Sequence, residues 1–391
     1  MSLSPNWTET FMSDNKECKR DMNILHVADI PQSQLNGTSV VVPEHVRNQA
    51  LYENVHFLNF NSNSEVDFNL PNGILINEME WNKIGYRGLI ERIGKPDLVV
   101  FHGVYKPKLW NFYYRYVKEK TPFIVLPHGS MTRVAQKKSR IKKYLANHLV
   151  VYPFTRKALA VQFLSETEFS NSDKAFFTNS FIMGNGVYPQ DKKAIFPKDS
   201  KVHFVSIGRI SVWYKGLDLL IDACKLLQES GEVELNNICL DIYGDDEENG
   251  VEYLQGKLNE YCLNNWVKMH GSVIGEEKEK ILTEEASYFI MTSRSEGQPM
   301  GALEALSYGL PIIVTPGTSF AKEVQSYNCG LTMDANPQSI KDAIVRAVRQ
   351  YSQRTEMSEN ALKCVEKNYW SSVVLETLET YRTLVKAGGL N

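Results

Sequence analysis

"SYFIMTSRSEGQPMGALEALSYGLPIIVT", Ser287 to Thr315, holds the pattern that decides the fold. An apolar run with strand character leads into a polar loop, the loop into a helical segment, and a second apolar run follows at once. Pro299 suits a first helical turn, where its missing N–H would have no partner, and Gly309 followed by Pro311 marks the other end. The spacing predicts a helix over about Pro299 to Tyr308. Strands that read as near-continuous apolar runs are buried on both faces, and helices between them imply a parallel sheet with right-handed crossovers.

The same rhythm extends in both directions. "NILHVA", "NVHFLNF", "PDLVVFHG", "PFIVLPHG", "AVQFLS" and "SFIMGNGV" alternate with helical segments, and "VHFVSIGR", "NICLDIYG", "WVKMHGS", "SYFIMTS", "PIIVTPG" and "CGLTM" follow. That series is too long for one sheet, and 391 residues exceed the roughly 250 at which single cores stop growing. Gly, Pro and charged residues replace any period at "GNGVYPQDKKAIFPKDSK", Gly184 to Lys201, so the boundary falls there. The expected architecture is α/β, with two doubly wound Rossmann-like domains facing each other across a cleft: residues 22–190, then residues 191–369. Residues 1–21 are expected to be a disordered leader.

Composition narrows the function classes. Forty-three Lys and Arg against 46 Asp and Glu leave a net charge of -3, which disfavours a nucleic-acid partner. Cys18, Cys224, Cys239, Cys262, Cys329 and Cys364 are scattered without a CxxC pair, so neither a zinc site nor a disulfide framework is suggested. No apolar run approaches the roughly 20 residues that span a bilayer, and a cytoplasmic location is expected.

Two carboxylates carry the chemistry. Glu296 lies just before a helix N-terminus, where Gly297 allows backbone N–H groups to approach a ligand. Glu304 sits among Ala302, Leu303, Ala305 and Leu306, where a carboxylate must be hydrogen-bonded or lose its charge. A carboxylate accepts from two adjacent hydroxyls, so the pair suits two diols. The plainer alternative is a helix cap at Glu296 and a Glu304 tied to backbone or to an arginine. In "VHFVSIGRISVWYKGLDLL", Arg209 and Lys215 flank a strand-to-helix loop, where two cations and a helix N-terminus would stabilise a departing diphosphate. No metal is then required, and the acidic turn Asp245, Asp246, Glu247 and Glu248 reads as a solvated turn before a helix.

These residues resemble the GT-B glycosyltransferases, specifically the retaining family 4 with its Glu-x7-Glu signature, matched here by Glu296 and Glu304. The resemblance implies transfer of a sugar from a nucleotide-diphosphate sugar, UDP- or GDP-linked, to a carbohydrate or lipid-linked acceptor in polysaccharide or glycoconjugate synthesis, with retention and without metal or cofactor. It implies that Glu296 and the stretch Gly297, Gln298, Pro299, Met300 and Gly301 hold the donor sugar. Glu304 would take the ribose, Arg209 and Lys215 the diphosphate, and Gly37 the donor side of the first domain. His128 in "VLPHGSM" matches a family histidine that contacts the transferred sugar, and His102 in "VVFHGV" is a lesser candidate. Gln298-Pro299 departs from the aromatic residue and Gly of many members. The final helix, residues 370–391, is expected to cross back to the first domain. A phosphorylase, a sugar-nucleotide epimerase or a non-catalytic partner subunit would share the scaffold. The basic stretch Arg133 to Lys143 is a solvated face, an acceptor contact, or a contact with an anionic inner membrane face.

Overall fold

The computed structural model of the protein describes residues 22–31, 37–61, 70–71, 73–137, 139–199 and 201–388; the leader 1–21 lies outside them, as does Asn36 beside Gly37. Strands β1 (Asn23–Ala28), β2 (Asn54–Asn59), β3 (Leu75–Asn77), β4 (Leu98–His102), β5 (Phe123–Leu126), β6 (Ala160–Phe163) and β7 (Ser180–Ile182) form one sheet in the order β3-β2-β1-β4-β5-β6-β7. A second sheet contains β8 (Val202–Ile207), β9 (Ile238–Tyr243), β10 (Val267–His270), β11 (Tyr288–Met291), β12 (Ile312–Val314) and β13 (Gly330–Thr332), in the order β10-β9-β8-β11-β12-β13. Every strand pair within both sheets is parallel. The short strand β3 escaped the sequence reading because only Ile76 of its three residues is buried, so it lacks a continuous apolar run.

Side-chain alternation assigns each strand to two cores. Val202 and Phe204 of β8 pack with Leu220, Leu254 and Ile340 on one face, while Val205 packs with Phe289, Leu303 and Leu306 on the other. The helix Leu217–Ser230 shows why these segments are helical: Leu217, Leu220, Ile221, Cys224 and Leu227 recur at helical spacing and are all buried, and Gly231 ends the helix in the left-handed conformation at φ 63°. The helix Met300–Ser307 is flanked by Pro299 and Tyr308, one residue inside each expected limit.

The segment 183–201 is not a free linker along its length. Val187 pairs with Tyr369, and Ala194 and Ile195 donate backbone bonds to Tyr308 and Thr283 of the second domain. Just before Val187 the ring of Trp370 leaves no room for a side chain: a Cβ at Gly186 would lie 2.4 Å from it. The last helix, Trp370–Gly388, lies against the first sheet. Its Val374, Leu378 and Tyr381 enter a core of the first sheet with Val42, Val46 and Phe57, each buried apolar side chain being worth roughly 1.5–3 kcal/mol. Arg382 of this helix reaches the fully buried Glu53 carboxylate, which also accepts from the Met22 backbone N–H at 3.0 Å.

Replacing Arg382 with Ala leaves the buried Glu53 without its cation. The expected cost is about 2–3 kcal/mol, less than for a fully buried pair because Arg382 itself is part-exposed at 36%. Urea unfolding measures it; a change within a few tenths of a kcal/mol would show that the helix docks by apolar contact alone.

Candidate active site

Both sheets reverse their strand order beside a central strand, and the crevice outside the carboxyl ends at such a point is where doubly wound sheets bind ligands. In the second sheet the reversal lies between β8 and β11. The loop after β8 carries Gly208, Arg209 and Lys215; the loop after β11 carries Ser293 and Glu296. Gly216, at φ +63°, lets the first loop lie directly on the second, since a Cβ there would sit 2.1 Å from the Thr292 carbonyl oxygen. That contact delivers Lys215 to Glu296: Lys215 Nζ donates to Glu296 Oε1 at 2.6 Å, and Ser293 Oγ donates to the same oxygen at 2.8 Å. Both charged side chains are largely enclosed, with 20% and 17% of their surface open.

Arg209 lines the same small cleft as Lys215, together with Gly208, Tyr243 and Ser293. Its guanidinium pairs with Glu247 Oε1 at 2.8 Å. The acidic turn is thereby accounted for in part: Glu247 holds Arg209, Asp245 accepts from Ser272 Oγ at 2.6 Å, and Asp246 accepts from the Val251 N–H at 2.9 Å at the next helix start. Among the described residues no group of three or more His, Cys, Asp or Glu side chains is placed to hold a metal ion. Glu304 bonds neither Lys215 nor Arg209; its carboxylate pairs with Lys278 of the helix Gly275–Lys280. Lys278 had no signal in the sequence beyond a charged "GEEKEK" helix, so this donor emerges only from packing.

The first domain meets this site through backbone. A Cβ on Gly297 would lie 3.4 Å from Gly129 N, and one on Gly129 would lie 3.7 Å from Gly297 N, so the chains pass each other with no side chain between. His128 and Glu296 precede these two glycines, so their backbones lie close across the contact between the domains. Ser165 Oγ donates to the Gly297 carbonyl at 2.6 Å. Gln298 forms a two-way clamp: its Oε1 accepts from the Asn185 N–H and its Nε2 donates to the Asn185 carbonyl at 3.3 Å. The departure at Gln298 thus has a structural reason, since this side chain ties the signature loop to the first domain. Pro299 caps the helix, and Met300 begins it. Gly301 seats the helix on the strand end, since a Cβ there would be 3.2 Å from the Ile207 carbonyl. Gly37 stands apart from this cluster: it begins the helix Gly37–Gln49, and among the described residues nothing would lie within 4 Å of a Cβ added there.

His128 occupies left-handed backbone at φ 49°, a conformation that costs a non-glycine residue about 1–3 kcal/mol. Buried Glu168, which sequence reasoning missed in "SETEF", holds the turn: one carboxylate oxygen accepts from the Gly129 N–H and the other from the Leu164 N–H at 2.7 Å. Burial pushes the Glu168 carboxyl up to about 7 even though both backbone donors oppose the shift.

Behind His128 runs a file of rings. His128 Nε2 lies 3.1 Å from His102 Nδ1, His102 Nε2 lies 2.9 Å from His26 Nδ1, and His26 Nε2 lies 3.0 Å from Gln49 Oε1. At its far end Gln49 Oε1 faces His26 Nε2, while the buried Gln49 Nε2 has no hydrogen-bond partner, so which nitrogen of each ring carries the proton follows from how that amide is turned. Close by, Gln162 Nε2 donates to the Met183 carbonyl and Gln162 Oε1 accepts from the Tyr381 hydroxyl at 2.8 Å. Burial lowers the pKa values of His26 and His128 to about 3 and that of His102 well below the ordinary value. His45, bonded to Asn185 Oδ1 at 2.8 Å, is lowered to about 4 by burial.

Known proteins resemble this chain in sequence and in fold. Residues 188–363 match the family model described as glycosyl transferases group 1. An uncharacterised glycosyltransferase of Methanocaldococcus jannaschii is 22% identical over 272 residues, covering 66% of this chain and 73% of its own length. A second from the same organism is 26% identical over 198 residues, covering 50% of this chain and 49% of its own length. Among solved structures, a sucrose-phosphate synthase from Thermosynechococcus elongatus superposes with a TM-score of 0.73 at 15% identity, over 93% of this chain and 100% of that one. Anabaena HepE, crystallised with UDP and glucose, superposes with 0.69 at 14% identity over 93% and 100%. At these identities the likeness is one of fold, and the fold is GT-B.

The lowered histidines set the pH dependence of stability. The unfolded chain, with histidines near 6.5, binds more protons than the native one, so stability is full above that pH and is lost as pH falls toward about 4. Glu168 has the opposite sign: its raised carboxyl favours the fold below about 4.5, and that contribution is lost as pH rises through about 7. Urea unfolding at a series of pH values is expected to show the acid loss dominating because several rings titrate together. A flat profile between 6.5 and 4 would be incompatible with a neutral histidine file.

Proposed function

We propose that this chain, which carries a glycosyl transferases group 1 domain over residues 188–363, is a retaining glycosyltransferase. It moves a hexose unit from a UDP- or GDP-linked donor to a carbohydrate or lipid-linked acceptor, in the synthesis of a polysaccharide or glycoconjugate. The observation that carries this reading is the Lys215–Glu296 pair at the strand-order reversal, facing the His128–Gly129 turn across the cleft.

In this scheme the diphosphate of the donor takes over Lys215 and Arg209, each of which a carboxylate already holds in place. Glu296, released from Lys215, accepts from hydroxyls of the sugar, with the backbone of Gly297, Gln298, Pro299, Met300 and Gly301 beside it. Glu304 accepts from the ribose, and Gly37 leaves open space on the first-domain side. As the glycosidic bond breaks, negative charge grows on the diphosphate, and two fixed cations stabilise that change more than they stabilise the ground state. Those cations supply the charge compensation for which a divalent metal would otherwise be needed. Neutral His128 meets a sugar hydroxyl and adds no repulsion to the positive character at the reacting carbon. The acceptor hydroxyl attacks from the face that the diphosphate leaves, and its proton passes to a diphosphate oxygen, so retention follows without a separate protein base.

UDP-glucose is the first donor to test, because a protein of the same fold has been crystallised with UDP and glucose. With any accepted donor, Lys215→Ala is expected to lower kcat by about 100-fold or more. Its melting temperature should change little, since Ser293 still donates to Glu296. Full activity in Lys215→Ala would remove the pair from the mechanism. Product anomers read by NMR test retention, and inorganic phosphate supplied in place of an acceptor tests for a phosphorylase, which would release sugar phosphate.

A further inference from the structure

The helix Arg140–Ala146 and the π-helical turn Asn147–Val151 that continues it present an apolar ridge to solvent. Ile141 is 78% exposed, Leu145 55% and Leu149 73%, spaced four residues apart, with Tyr144 at 62% alongside. Isolated exposed apolar side chains are ordinary, but a contiguous row of large ones marks an interaction surface. The opposite side of the same element is buried through Asn147, Val151 and Phe154. It is fastened by a polar cluster: the Tyr105 hydroxyl donates to Asn147 Oδ1 at 2.6 Å, and Asn147 Nδ2 donates to Gln136 Oε1 at 2.9 Å. The ridge is therefore held outward by rigid contacts.

Charge identifies what covers it. The stretch Arg133 to Val151 contains no Asp or Glu. Among the described residues Arg133, Lys137, Arg140 and Lys142 are exposed and pair with no carboxylate, while Lys143 turns inward to the Ala135 carbonyl. A second copy of this chain meeting the ridge about a two-fold axis would set these cations against one another. An anionic lipid surface satisfies both components, taking the apolar side chains into the acyl boundary and the cations among the headgroups. The face also continues into the cleft: Val134 and Lys137 line a cavity of about 480 Å³ together with Trp213 and Tyr214 of the second domain. Among the described residues no helix is long and apolar enough to cross a membrane, so attachment would be at the surface.

We propose that the face formed by Ile141, Tyr144, Leu145 and Leu149 with Arg133, Lys137, Arg140 and Lys142 docks the protein on an anionic membrane, with the cleft opening beside the headgroups. This goes beyond the transfer reading and is measured without activity. Flotation with phosphatidylcholine vesicles, with and without phosphatidylglycerol, provides the test. Wild type floats with the phosphatidylglycerol vesicles and not with phosphatidylcholine alone. Ile141→Ser/Leu145→Ser/Leu149→Ser abolishes flotation while keeping the melting temperature, because all three side chains are already in water. Arg140→Gln/Lys142→Gln weakens binding roughly 30-fold, the effect of two charges at about 1 kcal/mol each, and added salt weakens the wild type similarly. Equal binding to both vesicle types, or flotation that survives the triple substitution, overturns the proposal. So does a dimer in sedimentation analysis that the triple substitution breaks while no vesicle binds.

Discussion

The two domains meet backbone on backbone, Gly129 against Gly297, and the geometry of the site depends on that contact. A Cβ at either position would already touch the opposite chain, and any larger side chain would wedge the domains apart. Because neither residue has one, the segments can approach closely, and the residues before them, His128 and Glu296, are brought near across the contact. The surrounding bonds serve this contact: Ser165 reaches the Gly297 carbonyl, Gln298 clamps Asn185, and Glu168 holds the strained turn at His128. The returning helix adds a second tie, since Trp370 packs on Gly186 and the Tyr381 hydroxyl donates to Gln162 of the first sheet.

The two walls of the cleft solve opposite electrostatic problems. The second-domain wall is charged, and each cation is matched by a carboxylate: Lys215 by Glu296, Arg209 by Glu247 and Lys278 by Glu304. Such pairs offset the desolvation of mostly enclosed ions and leave them able to exchange partners when an anionic ligand arrives. The first-domain wall is neutral, because burial keeps the histidine rings unprotonated and bonded to one another. A site with movable charge on one wall and fixed dipoles on the other is suited to a reaction in which charge develops on the leaving group.

Much of the fold was legible because buried parallel strands write themselves as unbroken apolar runs, as in "DLVVFH" and "SYFIMT". The strand β3 was not, being half-exposed and only three residues long. The signature loop announced Glu296 and Glu304 through their spacing, and Arg209 and Lys215 through their place at a strand end and a helix start. Lys278, Glu168 and His26 had no such signal, since each acts through a partner far away in the chain and their local sequences read as an ordinary charged helix, a capped helix start and a strand.

By itself the sequence determined most of the element order, the parallel sheets and the presence of a Glu-x7-Glu loop, because period, apolar run and helix-ending residues are local properties of the chain. Tertiary structure alone decided which carboxylate holds which cation, that Gln298 joins the domains, that three histidines share one line of hydrogen bonds, and that the apolar side of the Arg140–Val151 segment faces outward. Those outcomes depend on distances between residues up to 329 positions apart, as between Glu53 and Arg382, and no local pattern encodes such a distance.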